Sequence, residues 1–173
     1  MAKESDLKGK VILVVDDERD VLDAVGDELD VCIVHKAEDY NTGLQHILSF
    51  TYDAVILDIM GVDGFELLKA SVKRGFPTVM LTAHAVTPQA LKKSMKLGAV
   101  SFLPKEKITE LREFLLDAVI GRGSLSWVRV FDKLGNYFGK RFGSDWKERD
   151  KFFREFEETV RDLPCQHIPG SER

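Results

Sequence analysis

Residues 52–68 read YDAVILDIMGVDGFELL, an uninterrupted apolar run that ends on a carboxylate and passes through Gly61, Asp63 and Gly64 into a helical pattern. Ala54, Val55, Ile56 and Leu57 show no polar alternation, so they predict a strand covered on both faces, with a turn directly after it. Asp58 then stands at the carboxyl end of a buried strand. In open α/β sheets that rim is where ligands bind. Taken alone, an aspartate at a strand end is a turn former or a helix cap, so the other strand ends decide its meaning.

Working outward, the same pattern recurs. Residues 10–15, KVILVV, form an apolar strand that runs into Asp16, Asp17 and Glu18, and a helix follows with Val21, Leu22, Val25 and Leu29 on one stripe. Residues 31–34 predict a second strand and residues 40–50 a second helix. The quoted stretch supplies the third pair, with its helix over 65–72. Residues 78–81 make a fourth strand ending in Thr82-Ala83-His84, and Pro88 opens a helix that stops at Gly98. Residues 100–103 make the fifth strand, ending at Pro104-Lys105, and residues 108–120 the fifth helix. Such alternation is the mark of an α/β fold, a doubly wound five-stranded parallel sheet with helices on both faces. The order 2-1-3-4-5, the flavodoxin-like choice, is expected, with its switch point between strands 1 and 3.

After Gly121-Arg122-Gly123 the alternation stops. Trp127, Phe131, Leu134, Phe138 and Phe142 recur at helical spacing, as do Trp146, Phe153, Phe156 and Val160. They predict a C-terminal α-helical hairpin with Asp145 as N-cap of its second helix. The expected organisation is a first domain over 8–120, a helical extension over 124–162 and a polar, disordered tail over 163–173.

Composition narrows the function. Hydrophobic residues at 44% and charged residues at 31% suit a soluble chain with a substantial core. No apolar run reaches the roughly 18 residues of a membrane span, and the N-terminus lacks the apolar centre of a signal peptide, so a cytoplasmic protein without membrane insertion is expected. Residues 1–120 carry 14 Lys+Arg against 20 Asp+Glu, while residues 121–173 carry 11 against 9. An acidic first part and a nearly neutral second part argue against nucleic acid as a partner. Cys32 reads as a small buried hydrophobe and Cys165 as a free thiol, neither with zinc-ligand spacing.

Asp16, Asp17 and Asp58 converge on one rim from adjacent strands. Like charges so crowded call for a cation, and hard oxygen ligands with open water positions suit Mg²⁺. The acid pair alone would be a helix cap. Strand 4 adds the hydroxyl of Thr82 and strand 5 the ammonium of Lys105. Metal, hydroxyl and ammonium together can neutralise three oxygens of a phosphoryl group transferred to Asp58.

With VVDDE, VILDIM followed by DGFELL, PTVMLTA and SFLPK in place, the chain resembles the receiver domain of two-component response regulators of the chemotaxis-regulator type, over about residues 8–120. The resemblance implies that Asp58 accepts a phosphoryl group from a phosphohistidine of a sensor histidine kinase or phosphotransfer protein. It implies Mg²⁺ (or Mn²⁺) held by Asp17, Asp58 and the backbone carbonyl of Met60, with Asp16 acting through water. It further implies that Thr82 moves toward the acyl phosphate, that Phe102 at the switch-aromatic position rotates inward, and that the face of helix 4, strand 5 and helix 5 changes. Self-catalysed phosphotransfer and autodephosphorylation are the expected chemistry, without multiple turnover. Two features depart from the family: five residues, 59–63, separate Asp58 from Gly64 without a proline, and Glu106 stands where a proline usually follows the lysine.

The expected output is contact with a downstream protein or a homodimer, through that switch face or the C-terminal helices, whose aromatics read as core. The alternative is a transcriptional regulator with a minimal helical DNA-binding unit using Arg129, Lys133 and Arg141. A metal-dependent phosphohydrolase is a third reading. Met60 and His84 border the path of the hydrolytic water, and an apolar Met60, unable to orient water, predicts a long-lived acyl phosphate.

Overall fold

The five apolar runs form one parallel sheet because each is flanked by turn residues and followed by an amphipathic helix. In the computed structural model, which describes residues 4–120 and 124–161, the strands are β1 (Val11–Val15), β2 (Ile33–Ala37), β3 (Ala54–Leu57), β4 (Thr78–Thr82) and β5 (Ser101–Pro104). Their order is β2-β1-β3-β4-β5, all parallel, as the alternation predicts. The inner strands β3 and β4 are buried at every position, which accounts for their lack of polar alternation.

The intervening helices are α1 (Arg19–Glu28), α2 (Tyr40–Ser49), α3 (Gly64–Lys73), α4 (Pro88–Lys96) and α5 (Leu111–Ile120). Helices α1 and α5 pack together on one face, α2 and α3 on the other. Lys93 of α4 lies 4.5 Å over the ring of Phe65 in α3, which puts α4 beside that second pair. Asp39 and Thr87 cap α2 and α4, accepting from the amides of Thr42 and Ala90.

Most boundaries fall within a residue of expectation, and the larger differences are at β2 and at the fifth helix. Strand β2 starts and ends later than 31–34 because Val31 and Cys32 belong to the preceding turn, where Cys32 N–H donates to Leu29 O and Gly9 N–H to Val31 O. As an edge strand half open to solvent, β2 continues through His35 and Lys36, which an apolar run does not show. Cys32 is only half-buried and its Sγ donates weakly to Leu7 O at 3.4 Å. The start of the fifth helix is a 3-10 segment, Lys105–Glu110, in which Lys107 leaves the helical conformation before α5 begins.

The C-terminal hairpin is built of three helices: α6 (Ser124–Phe142), α7 (Trp146–Arg149) and α8 (Lys151–Arg161). Asp145 makes no capping bond and instead pairs with Arg149 Nε at 3.1 Å. The cap belongs to Asp150, whose Oδ1 accepts from Phe152 N–H at 2.8 Å and starts α8. The expected tail over 163–173, with Cys165, lies outside the described residues.

The aromatic stripe is core. Trp127, Phe131, Leu134, Phe138, Trp146 and Phe153 are all buried. Phe138 stacks on Phe142 with ring centroids 5.3 Å apart, and Trp146 meets Phe153 edge-on at 4.8 Å. Phe138 also reaches Phe102 of β5 at 6.3 Å, so the added helices and the sheet share one interior. Trp127 Nε1 donates to Ala99 O at 2.9 Å, and Arg129 and Lys133 pair with Asp117 of α5. From the other side Lys92 of α4 pairs with Asp150 at 3.1 Å. Helices α6–α8 therefore lie across α4, β5 and α5. No described helix is long and apolar enough to cross a membrane.

Candidate functional site

The parallel register brings the polar strand ends together. Val15 lies opposite Leu57, so Asp16 and Asp58 leave the sheet side by side, and Thr82 lies opposite Pro104, immediately before Lys105. Asp16 Oδ1 accepts from the amide of Glu18 at 2.9 Å, an Asx turn that carries the chain from β1 into α1. Asp58 N–H donates to Val15 O at 3.0 Å, continuing the ladder one residue beyond the strands.

Lys105 spans the cluster. Its ammonium, on a side chain only 10% exposed, lies 2.7 Å from Asp16 Oδ2 and 3.4 Å from Asp58 Oδ2. It donates a hydrogen bond to Glu18 Oε1 at 3.1 Å. The approach to Asp16 is an ion pair that leaves buried Oδ2 without a directed hydrogen bond. Burial raises the pKa of Asp16, while Lys105 and the Glu18 amide work against that rise. Asp58 is pushed up to about 6, by burial first and the Asp16 charge second, with Lys105 opposing both. For Lys105 burial favours the neutral amine, but pairing with Asp16 and Asp58 outweighs it and holds the ammonium above its ordinary range.

The loop after β3 is shaped by two glycines. Gly61 has φ +90°, and a Cβ there would fall 2.5 Å from Asp17 Oδ2. At Gly64 a Cβ would fall 1.9 Å from the backbone oxygen of Asp58. The short loop thus folds directly onto Asp17 on one side and Asp58 on the other, and Asp63 enters α3 from a left-handed conformation. All peptide bonds among the described residues are trans.

Asp16, Asp17 and Glu18 each offer a carboxylate oxygen, and the three lie within 4.8 Å of one another. Four carboxylates, Asp58 included, face one ammonium. Hard carboxylate oxygens, and negative charge that the Lys105 ammonium only partly offsets, fit a hard divalent cation such as Mg²⁺.

The expected residues are distributed as follows. Asp16, Asp58 and Lys105 meet directly, and Asp17 joins them through the acidic cluster. Thr82 is fully buried at the end of β4, where its Oγ1 accepts from Ala85 N–H at 3.3 Å. Phe102 is fully buried and covered by Phe138. The side chains of Met60 and His84 are exposed at the rim. Glu18 also joins the site, and in the sequence its only signal is adjacency to the acid pair.

A model of the response regulator receiver domain matches residues 12–116, more than half of the chain. This chain belongs to the response regulator receiver family. Among solved structures the receiver is similar to the chemotaxis response regulator CheY4 of Vibrio cholerae, with 26% identity, TM-score 0.56, and 65% of this chain and 99% of that chain covered. It shares its fold with a CheY-like receiver domain protein from Methanospirillum hungatei JF-1, at 24% identity and TM-score 0.56, over 65% of this chain and 97% of that chain. A response regulator from Thermotoga maritima is alike in fold at 22% identity and TM-score 0.59, over 64% and 98%. No curated protein matches the receiver. The family match ends at residue 116, before α6 begins.

Proposed function

We propose that this receiver accepts a phosphoryl group on Asp58, in a Mg²⁺-dependent step, and signals through contact with another protein. The observation that carries the reading is the Lys105 ammonium lying between Asp16 and Asp58 at the carboxyl rim, 2.7 and 3.4 Å from their carboxylates. Asp16 Oδ1 is engaged by the Glu18 amide, and Asp58 stands at the end of an inner strand beside it. An Asp58 oxygen attacks phosphorus, the new P–O bond forms as the bond to the donor's leaving group breaks, and a leaving imidazole nitrogen takes up a proton. Lys105 neutralises one equatorial oxygen and the Thr82 hydroxyl can turn to a second. Asp16, Asp17 and Asp58, with the Met60 carbonyl, would hold Mg²⁺, which supplies charge neutralisation on the transferred group. Donors are a sensor histidine kinase or a phosphotransfer protein, in the cytoplasm.

The DNA-binding alternative loses its basic face. Arg129 pairs with Asp117 at 2.9 Å, and Lys133 pairs with Glu113 and Asp117 at 2.8 and 2.7 Å, so both charges are met within the chain.

The test is incubation with acetyl phosphate and Mg²⁺ followed by intact mass. Wild type gains one phosphoryl group, Asp58→Asn gains none, and Lys105→Ala gains it at least tenfold more slowly, a loss of the order expected for one preorganised charge. An unchanged wild-type mass would overturn the reading.

A further inference from the structure

Helix α6 is tied to both loops that carry the site. The Tyr137 hydroxyl donates to Glu106 Oε1, on the residue that follows Lys105. Burial, and then the Glu106 carboxylate, push the phenol up to about 12, so it remains a donor. Arg141, one turn further along α6, lies 3.8 Å from the same Glu106 oxygen, and its Nε donates to Val86 O at 3.4 Å. Val86 follows Ala85, whose amide is bonded to the Thr82 hydroxyl. Between these two anchors Phe138 of α6 covers Phe102 of β5. Tyr137, Phe138 and Arg141 all lie beyond the stretch that matches the family.

We propose that helix α6 is the built-in partner of the phosphorylation site. Tyr137 and Arg141 hold the loops bearing Lys105 and Thr82 in their unphosphorylated positions, and an acyl phosphate on Asp58 loosens α6–α8 from α4, β5 and α5. The inference rests on Asp58 being the phosphoacceptor. Its direction follows from present engagements. The Thr82 hydroxyl is bonded to Ala85 N–H, and Lys105 is shared among Asp16, Asp58 and Glu18. Phosphoryl oxygens compete for both groups and draw residues 82–86 and 105–106 toward the rim. The far ends of those segments are where Tyr137 and Arg141 are attached. Coupling between two sites is reciprocal in free energy, so a clamp that phosphorylation loosens disfavours the phosphorylated state by the same factor, and it slows phosphoryl transfer because the two loops must already shift toward the rim in the transition state. Tyr137 and Arg141 are positioning residues and touch no reacting atom.

The experiment uses the full chain. Acetyl phosphate and Mg²⁺ are added, phosphorylation is followed by intact mass, and hydrogen–deuterium exchange is read over residues 124–161, with Asp58→Asn as the silent control. Phosphorylated protein is expected to exchange several-fold faster there. In parallel, Tyr137→Phe combined with Arg141→Gln, which keeps the ring and most of the stem, is expected to phosphorylate roughly five-fold faster or more with its melting temperature retained. A purely structural role would lower the melting temperature and leave the rate unmoved. Phosphorylation with unchanged exchange, or a variant rate equal to wild type, overturns the inference and leaves the phosphoacceptor reading standing. Absence of any mass gain overturns both.

Discussion

A methyl group on Gly61 would meet the Asp17 carboxylate at 2.5 Å in a backbone conformation, φ +90°, that L-residues avoid. Gly61→Ala should therefore cost on the order of 1–3 kcal/mol of stability and push Asp17 out of place, weakening Mg²⁺ binding measured by calorimetric titration. Undiminished Mg²⁺ affinity in that variant would separate Asp17 from the metal site. Asp58 makes the opposite prediction. Its buried charge beside Asp16 is only partly offset by the Lys105 ammonium, so Asp58→Asn in a chelator should raise stability by up to about 3 kcal/mol in denaturant unfolding, the worth of a pKa displaced from 3.8 to about 6. Addition of Mg²⁺ should shrink that gap by stabilising the wild type. Met60, 55% exposed at the rim, offers no group to orient water. Met60→Asn should shorten the acyl-phosphate lifetime, and a lifetime unmoved by it and by His84→Ala would remove these residues from the hydrolytic path. Asp16, Asp58, Thr82 and Lys105 were legible because each is a polar residue ending an apolar run, and parallel register forces such ends together. The bond from Tyr137 to Glu106 was not legible, since a glutamate after a lysine looks like ordinary solvated charge and its partner is 31 residues away.

At the scale of elements, strand and helix existence followed from periodicity, while boundaries followed from contacts that periodicity does not encode. Strand β2 extends through His35 because its backbone stays paired with β1 as far as Ala37, and Tyr52 places a hydroxyl 2.9 Å from His35 Nδ1, a cross-sheet partner that no local pattern announces. The division of the last helix at Asp150 has the same character. Asp150 accepts from the Phe152 amide while its charge faces Lys92 of α4, and that pairing, with the capping amide, lowers its pKa. A carboxylate with a folded-state pKa below its unfolded value stabilises the fold above the unfolded value, near 3.9, and loses that contribution as pH falls through the folded value. Asp150→Asn keeps the cap and loses the charge. It should lower stability by about 0.5–1 kcal/mol at neutral pH, with the difference from wild type narrowing below about pH 4 in thermal unfolding. A pH-independent difference would assign the loss to packing instead.

For the whole molecule, the added helices are part of the sheet's interior. A chain ending at residue 120 would uncover Phe102, which Phe138 covers, and Phe114, over whose ring Lys133 lies, both buried here. Such a truncation should self-associate in size-exclusion chromatography and bind an apolar dye, and a well-behaved monomer would show that α6–α8 only rest on the receiver. The coverage of β5 has one more consequence. A parallel sheet has two rims along its length, each a row of free amides and carbonyls able to recruit another strand. Here α6 lies against β5 at one rim, and β2 forms the other. Polymerisation by strand addition needs a donor rim and an acceptor rim on every copy. With one of the two shielded, association along the sheet can close as a symmetric pair across β2, but it cannot propagate into a fibre while α6 stays in place.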